Sequence, residues 1–335
     1  MKKKSIVLFL IIAVLSLGLV GCGNSDSKDD TNKGGQSDAA NSNKIIVGYW
    51  GGTCEAPIFT AYELGYFKQA GLDVELLKIT SDVAPLMANN ELNAFQLTPD
   101  MFKPMENGLD LKIVDGVHTG CIQGAASIKS GIKTVADLEG KTVAAANGSI
   151  AQIQISSQMV NLGKDPKKVN WVSYPLPQME TAMNKGEVDA FACYDPYAEI
   201  AVQNGAVKFY SNTYDKGLAE YYCCFLGING AYLKNNPENC EKLVKAFSMA
   251  CKYLTEHPQE AAKLAIDKGY IAGTEELNAK LIGDYKWITG DKQLAYDSIL
   301  EIWNQIDRAG ALEDSTDKEV LAKNMFVWMG DQGSK

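Results

Sequence analysis

The sequence is poor in arginine and histidine. Of its 32 basic residues only Arg308 is an arginine, and the only histidines are His118 and His257. Bidentate guanidinium clamps, the usual grip on carboxylate or phosphate groups, are therefore scarce. Two histidines leave little scope for a triad-type catalytic site or a histidine-rich metal cage. The cysteines show no CxxC pair and no regular spacing. With Cys22 set aside they are Cys54, Cys121, Cys193, Cys223, Cys224, Cys240 and Cys251, an odd set that does not make a disulfide framework. Neither a metal site nor a cofactor is expected, and adjacent Cys223 and Cys224 read as buried packing. The net charge of −9 carries no basic footprint for nucleic acid.

What is present begins with a leader. Lys2, Lys3 and Lys4 precede an apolar run from Ile6 to Val20, too short and wrongly flanked for a stable membrane span. The run ends in Leu19-Val20-Gly21-Cys22, which resembles the bacterial lipoprotein signal box. The expectation is a signal peptide over 1–21 and acylation of Cys22, each buried CH₂ contributing about 0.8 kcal/mol to anchoring. Residues 22–43 are mostly Gly, Ser, Asn, Asp, Thr and Lys, with no large apolar side chain. Such a segment cannot offset its chain entropy and reads as a disordered tether. The expected location is the extracytoplasmic face of the cell membrane.

The remaining body is large enough for two moderate domains, and the 46% hydrophobic content of the full sequence indicates a substantial core. It repeats itself at an offset of 96 positions. In that register Val47 meets Val143, Gly52 meets Gly148 and Thr53 meets Ser149. Without a gap, Met87, Glu91, Ala94 and Phe95 lie over Met183, Glu187, Ala190 and Phe191. Each copy reads β-α-β-α-β, which gives an α/β fold with parallel strands and ligands at their carboxyl ends. Thr53 and Ser149 are predicted helix N-caps. Helices are predicted over 55–69 and 151–162. The predicted layout is a first lobe over 44–127 and a second over 128–224. Residues 225–335 return to the first lobe and add C-terminal helices.

Gly51-Gly52-Thr53-Cys54-Glu55-Ala56-Pro57-Ile58-Phe59, then Ala61-Tyr62-Glu63-Leu64-Gly65-Tyr66-Phe67 and Gly71-Leu72-Asp73-Val74, resemble the opening of nitrate/sulfonate/taurine-type solute-binding proteins. Thr134 to Lys141, Gly186 to Ala190 and Asp195-Pro196-Tyr197 are similar to later parts of that family. The resemblance implies a type II periplasmic-binding-protein-like fold, with two α/β lobes, a hinge and a ligand cleft between them. It implies a monomer that captures a small molecule and hands it to an ABC permease and its ATPase, and no enzyme activity. The same superfamily includes thiamine-pyrimidine synthases with a cysteine-rich motif, of which Cys223-Cys224-Phe225 is a partial match. A sensory binding module is a third reading.

Strand-end geometry selects the candidate ligand contacts. From the first lobe these are Trp50, Gly51, Gly52, Thr53, Cys54, Glu55, Asp82, Thr98 and His118. From the second they are Asn147, Gly148, Ser149, Tyr174, Tyr194 and Asp195, with Tyr222 at the return crossing. Trp50 and Tyr194 can stack on a flat solute or fill core. Asp195 can touch the solute or cap a helix. Glu55 can act as a first-turn charge. His118 can be a contact or a satisfied structural imidazole. With arginine scarce, the expected solute is neutral, zwitterionic or weakly cationic, with a flat or apolar part.

Overall fold

The computed structural model describes residues 44–80, 82–313 and 316–330. The leader, the tether and Cys22 lie outside the described residues. Eleven strands run in chain order as β1 Lys44–Tyr49, β2 Asp73–Lys78, β3 Ala94–Leu97, β4 Leu111–Thr119, β5 Ile122–Ala126, β6 Thr142–Ala144, β7 Asn170–Val172, β8 Ala190–Tyr194, β9 Val207–Ser211, β10 Tyr222–Asn229 and β11 Lys286–Trp287. They form two sheets, one ordered β2-β1-β3-β10-β4-β11 and the other β7-β6-β8-β5-β9.

The repeat is visible in the hydrogen-bond register. Val47 of β1 pairs with Ala94 of β3, and Val143 of β6 pairs with Ala190 of β8. Both partners in the second pair lie 96 positions further on. The outer strands are offset by one residue less, since Val47 faces Leu76 while Val143 faces Trp171. In each sheet the parallel trio is extended by an antiparallel strand, β10 beside β3 and β5 beside β8. That strand is supplied by a segment coming from the other lobe, so the lobes exchange chain.

The crossings therefore fall earlier than the sequence suggested. The chain leaves the first sheet after Thr119 and enters the second at Ile122, not after residue 127. It returns at Tyr222, not after residue 224. Both boundaries were misplaced because β5 and β10 are antiparallel strands with no counterpart in the repeat. The helix predicted over 55–69 is also divided. A 3₁₀ turn Thr53–Glu55 leads into Ala56–Glu63, and Gly65 with φ +76° separates this from Tyr66–Gln69.

The C-terminal helices do not all serve the first lobe. Pro237–Glu256 buries Leu243, Val244 and Phe247 against β1 and its helix. Glu275–Asp284 instead places Leu277 and Leu281 with Val143 and Ile155 of the second lobe. Lys292–Arg308 sets Ile299 and Trp303 in the first-lobe core beside Ile153. Its Arg308 Nε donates to Ser157 Oγ at 2.9 Å, and its Nη2 meets Glu301. Amphipathic spacing located these helices but could not say which sheet each faces. Among the described residues, no helix is long and apolar enough to cross a membrane.

Gly116 of β4 tests the packing at the return crossing. A Cβ there would lie 2.2 Å from the Tyr222 ring, which is itself buried. Gly116→Ala should destabilise the fold by about 1–3 kcal/mol through overpacking. Gly52→Ala meets ring-edge atoms of Tyr194 at 3.1 Å and Cys54 Sγ at 3.4 Å and should cost less. Urea unfolding of the two variants checks the order.

Candidate functional site

The strand ends of the two lobes meet along a seam. Thr53 N–H donates to the Asp195 carbonyl at 3.2 Å, joining the first helix of one lobe to the end of β8 in the other. The Tyr194 ring lies against Gly52, where a Cβ would come within 3.1 Å of it. The Asp195 carboxylate is fully buried and accepts from Gln123 Nε2 at 2.7 Å and from Tyr285 Oη at 2.6 Å. It caps no helix. Thr53 is likewise not an N-cap, because it already belongs to the 3₁₀ turn. Its hydroxyl donates to Asn278 Oδ1 at 2.5 Å. Ser149 does cap its helix, Ile150–Asn161, by accepting from Gln152 N–H.

The N–H groups that face the seam, in the loop before the first helical turn of one lobe and at a helix start of the other, are filled by the chain's own carboxylates. Glu55 accepts from the backbone N–H groups of Trp50, Gly51 and Gly52 at 3.0, 2.7 and 2.8 Å. In the other lobe the first N–H, that of Ile150, donates to Asp100 from the loop after β3. Asp100 also accepts from Thr98 Oγ1 at 3.1 Å. Burial raises all three seam acids. It pushes Glu55 up to about 8 against the pull of its three N–H donors. It pushes Asp195 up to about 7 despite the Tyr285 hydroxyl, and Asp100 up to about 6 despite Ile150 and Thr98.

Two buried glutamines add acceptors. Gln96 Nε2 donates to the Cys54 carbonyl at 2.9 Å, and Gln123 Nε2 serves Asp195. Their Oε1 atoms are buried without a hydrogen-bond partner. A groove of about 580 Å³ opens beside the seam between Asp100, Lys103 and Pro104 of one lobe and Asn147, Gly148 and Trp171 of the other.

A second cluster sits where both crossings begin. His118 is fully buried and stacks on Tyr285, with ring centroids 5.2 Å apart. Around it lie Cys54, Cys121 and Cys224, whose sulfurs and a His118 ring nitrogen are all within 4.8 Å of one another. This set has the composition and closeness of a metal-ligand group, which spacing along the chain had not suggested. The residues come from three segments, with only His118 and Cys121 near one another in the chain, so no complete linear motif announces them. Cys193 lies apart from this set and packs with Met179 and Phe191 in the second lobe.

Of the expected contacts, Gly51, Gly52, Thr53, Cys54, Glu55, His118, Tyr194 and Asp195 come together at the seam. Asn147 and Gly148 line the groove, with Ser149 capping the helix behind them and Thr98 holding Asp100. Four are placed elsewhere. Trp50 donates its N–H to Glu55, but its ring meets Phe95 edge-on at 5.5 Å in the first-lobe core. Tyr222 fills space over Gly116. Tyr174 Oη donates to Glu187 Oε2, and Asp82 is an exposed N-cap. Asp100, Gln96, Gln123, Asn278 and Tyr285 were not foreseen. A lone glutamine in the apolar strands Ala94–Leu97 and Ile122–Ala126 was the legible signal for two of them.

Two α/β lobes that exchange antiparallel strands and meet at their strand ends define a periplasmic-binding-protein fold. The same fold occurs in the alkanesulfonate-binding protein SsuA of Xanthomonas axonopodis pv. citri, solved with MOPS. That structure has a TM-score of 0.71 and 16% identity, with 87% of this chain and 100% of that one covered. The chain belongs to the NMT1/THI5-like family, whose profile matches residues 53–261. A Bacillus subtilis protein assigned to aliphatic sulfonates binding is 25% identical over 85% of this chain and 86% of its own. The 4-amino-5-hydroxymethyl-2-methylpyrimidine phosphate synthase THI13 of Saccharomyces cerevisiae is 26% identical over 63% of this chain and 66% of its own.

Asp100 gives a pH prediction. Its folded-state value lies above the ordinary 3.8, so the native state holds the proton more tightly than the unfolded chain. The associated stability is present below the ordinary value and lost as pH rises through about 6. Asp100→Asn should therefore gain stability relative to the wild type between about pH 5 and about pH 7. Urea midpoints of both proteins across that range check it, and a difference independent of pH would contradict it.

Proposed function

We infer that this protein is the solute-binding component of an ABC-type importer, held at the extracytoplasmic face by a lipid on Cys22. It captures one small molecule between its lobes and delivers it to the permease without chemical change. The fold and the sulfonate-binding relative support the class. The leader pattern, Lys2 to Cys22, supports the anchor.

The solute is neutral, zwitterionic or weakly cationic, and carries hydrogen-bond donors on a flat or apolar frame. One observation carries this reading. The seam N–H groups that would hold an anion already hold Glu55 and Asp100, and the buried side-chain atoms left without a partner beside them, Gln96 Oε1 and Gln123 Oε1, are acceptors. An incoming sulfonate or nitrate would have to displace a carboxylate from its own N–H donors. A solute with N–H or O–H groups would instead meet the free Oε1 atoms of Gln96 and Gln123. Tyr194 supplies the flat surface.

A second reading follows the pyrimidine phosphate synthase relatives and the Cys223-Cys224-Phe225 segment. It requires a reacting group exposed to substrate, whereas His118 and all the cysteines near it are buried.

Isothermal calorimetry with a panel of compounds tests the proposal. Amine-bearing or amide-bearing ring compounds should bind, and nitrate and aliphatic sulfonates should not. Tyr194→Ala should weaken the bound compound by about 1–3 kcal/mol if a ring stacks there. Binding confined to sulfonates, unaffected by Tyr194→Ala, would reject this account of the solute.

A further inference from the structure

We propose that Cys54, His118, Cys121 and Cys224 form a tetrahedral site for a thiophilic divalent cation, with Zn²⁺ as the probe, at the root of both crossings. The inference does not depend on the identity of the transported solute.

The donor set is three sulfurs and one imidazole nitrogen, the composition of a closed four-coordinate zinc site. Zinc takes sulfur at about 2.3 Å and nitrogen at about 2.0–2.1 Å, so tetrahedral neighbours stand about 3.5–3.8 Å apart. Cys121 and Cys224 are already 3.8 Å apart. The whole set lies within 4.8 Å, so the remaining donors need to draw in by only about an ångström.

The backbone is shaped to bring these groups together. Cys121 has φ +106°, one of two non-glycine residues with positive φ among the described residues. Such a conformation costs about 1–3 kcal/mol in a residue with a side chain and persists where the surroundings hold it. On the opposite crossing, β10 departs from regular pairing at this point. Tyr222 faces Thr119 and Cys224 faces His118, which leaves Cys223 as the extra residue of a bulge. The bulge lets two consecutive cysteines both reach Cys121, Cys223 at 3.3 Å and Cys224 at 3.8 Å. Cys223 is in turn held by Asn212 Nδ2 at 3.3 Å, which leaves Cys224 for the ion.

His118 has the outer contact that metal-bound imidazoles use. Nδ1 lies 3.3 Å from the Thr119 carbonyl, and donation there frees Nε2 as a ligand. Gln96 Nε2 is 3.2 Å from that nitrogen and yields it on metal binding, while keeping its bond to the Cys54 carbonyl. The route in is the seam itself. Cys54 Sγ and the Tyr194 ring both border Gly52, so separation of the lobes exposes the sulfur. On binding, three thiols each release a proton to solvent and M²⁺ becomes a singly negative tris-thiolate imidazole complex. Affinity therefore rises with pH. The bound ion ties the first loop of one lobe to both strands on which the lobes turn.

The experiment uses the full chain, isolated under reductant and stripped with chelator. Titration with Co²⁺ should give one equivalent bound, with the near-ultraviolet band of cobalt–thiolate bonds and the visible bands of tetrahedral Co²⁺, and Zn²⁺ should abolish them. Cys54→Ser, Cys121→Ser and Cys224→Ser should each lose the one-to-one complex while circular dichroism reports the native fold. Cys240→Ser and Cys251→Ser, which alter buried cysteines of the first-lobe core, should keep it. A folded wild-type protein that gives no thiolate band, or a band that survives in Cys121→Ser, overturns the proposal. So does recovery of Cys121 as a disulfide with Cys223 from cells supplied with zinc.

Discussion

A buried carboxylate must find donors, and that requirement organises the seam between the lobes. Glu55 finds its donors in the turn that precedes its own helix, through the N–H groups of Trp50, Gly51 and Gly52. Asp195 finds them in Gln123 and Tyr285, which come from a strand and from the C-terminal helical segment. Asp100 finds one across the seam at Ile150. Each solution fixes a different piece of chain. Together they set the spacing of the first loop, the second-lobe strand ends and the last third of the sequence. Polar groups bonded in a low-dielectric seam specify geometry more sharply than apolar contact alone.

In the proposed reading, the same requirement separates this chain's seam from one built for anions. A helix start is a general anion site because its N–H groups lack partners within the helix. Once an internal carboxylate occupies them, the site offers acceptors where it had offered donors. A shared fold therefore says little about the solute. Two lobes of the same architecture can present opposite polarity through two side chains, here Glu55 and Asp100.

What could be read from the sequence follows from how local each signal is. The duplicated unit was legible because strand pairing preserves the repeat offset, Val47 with Ala94 and Val143 with Ala190. The loop from Gly51 to Glu55 and the pair Tyr194-Asp195 could be placed at the seam because each follows the end of a strand. The crossings were placed a few residues late, since β5 and β10 belong to no repeat. The partners Asn278 and Tyr285 were illegible because amphipathic spacing gives a helix its buried face but not its neighbour. Trp50 and Tyr222 were over-read for a related reason. An aromatic at a strand end can turn toward the seam or into the core, and only packing decides.

The cysteines make the same point at longer range. Beyond the pair His118 and Cys121, residues 54, 118, 121 and 224 share no spacing that a metal motif would use, and an odd count of scattered thiols reads as packing. The topology nevertheless gathers four of these residues. Each crossing must pass between the same two sheets, so its end residues are forced next to one another and next to the loop after β1. Thr119 to Cys121 and Tyr222 to Cys224 are those end residues, and Cys54 lies in that loop. A fold that exchanges strands between its lobes thus gathers distant side chains at one buried point. Cysteine and histidine at that point are placed for joint chemistry by the connectivity itself.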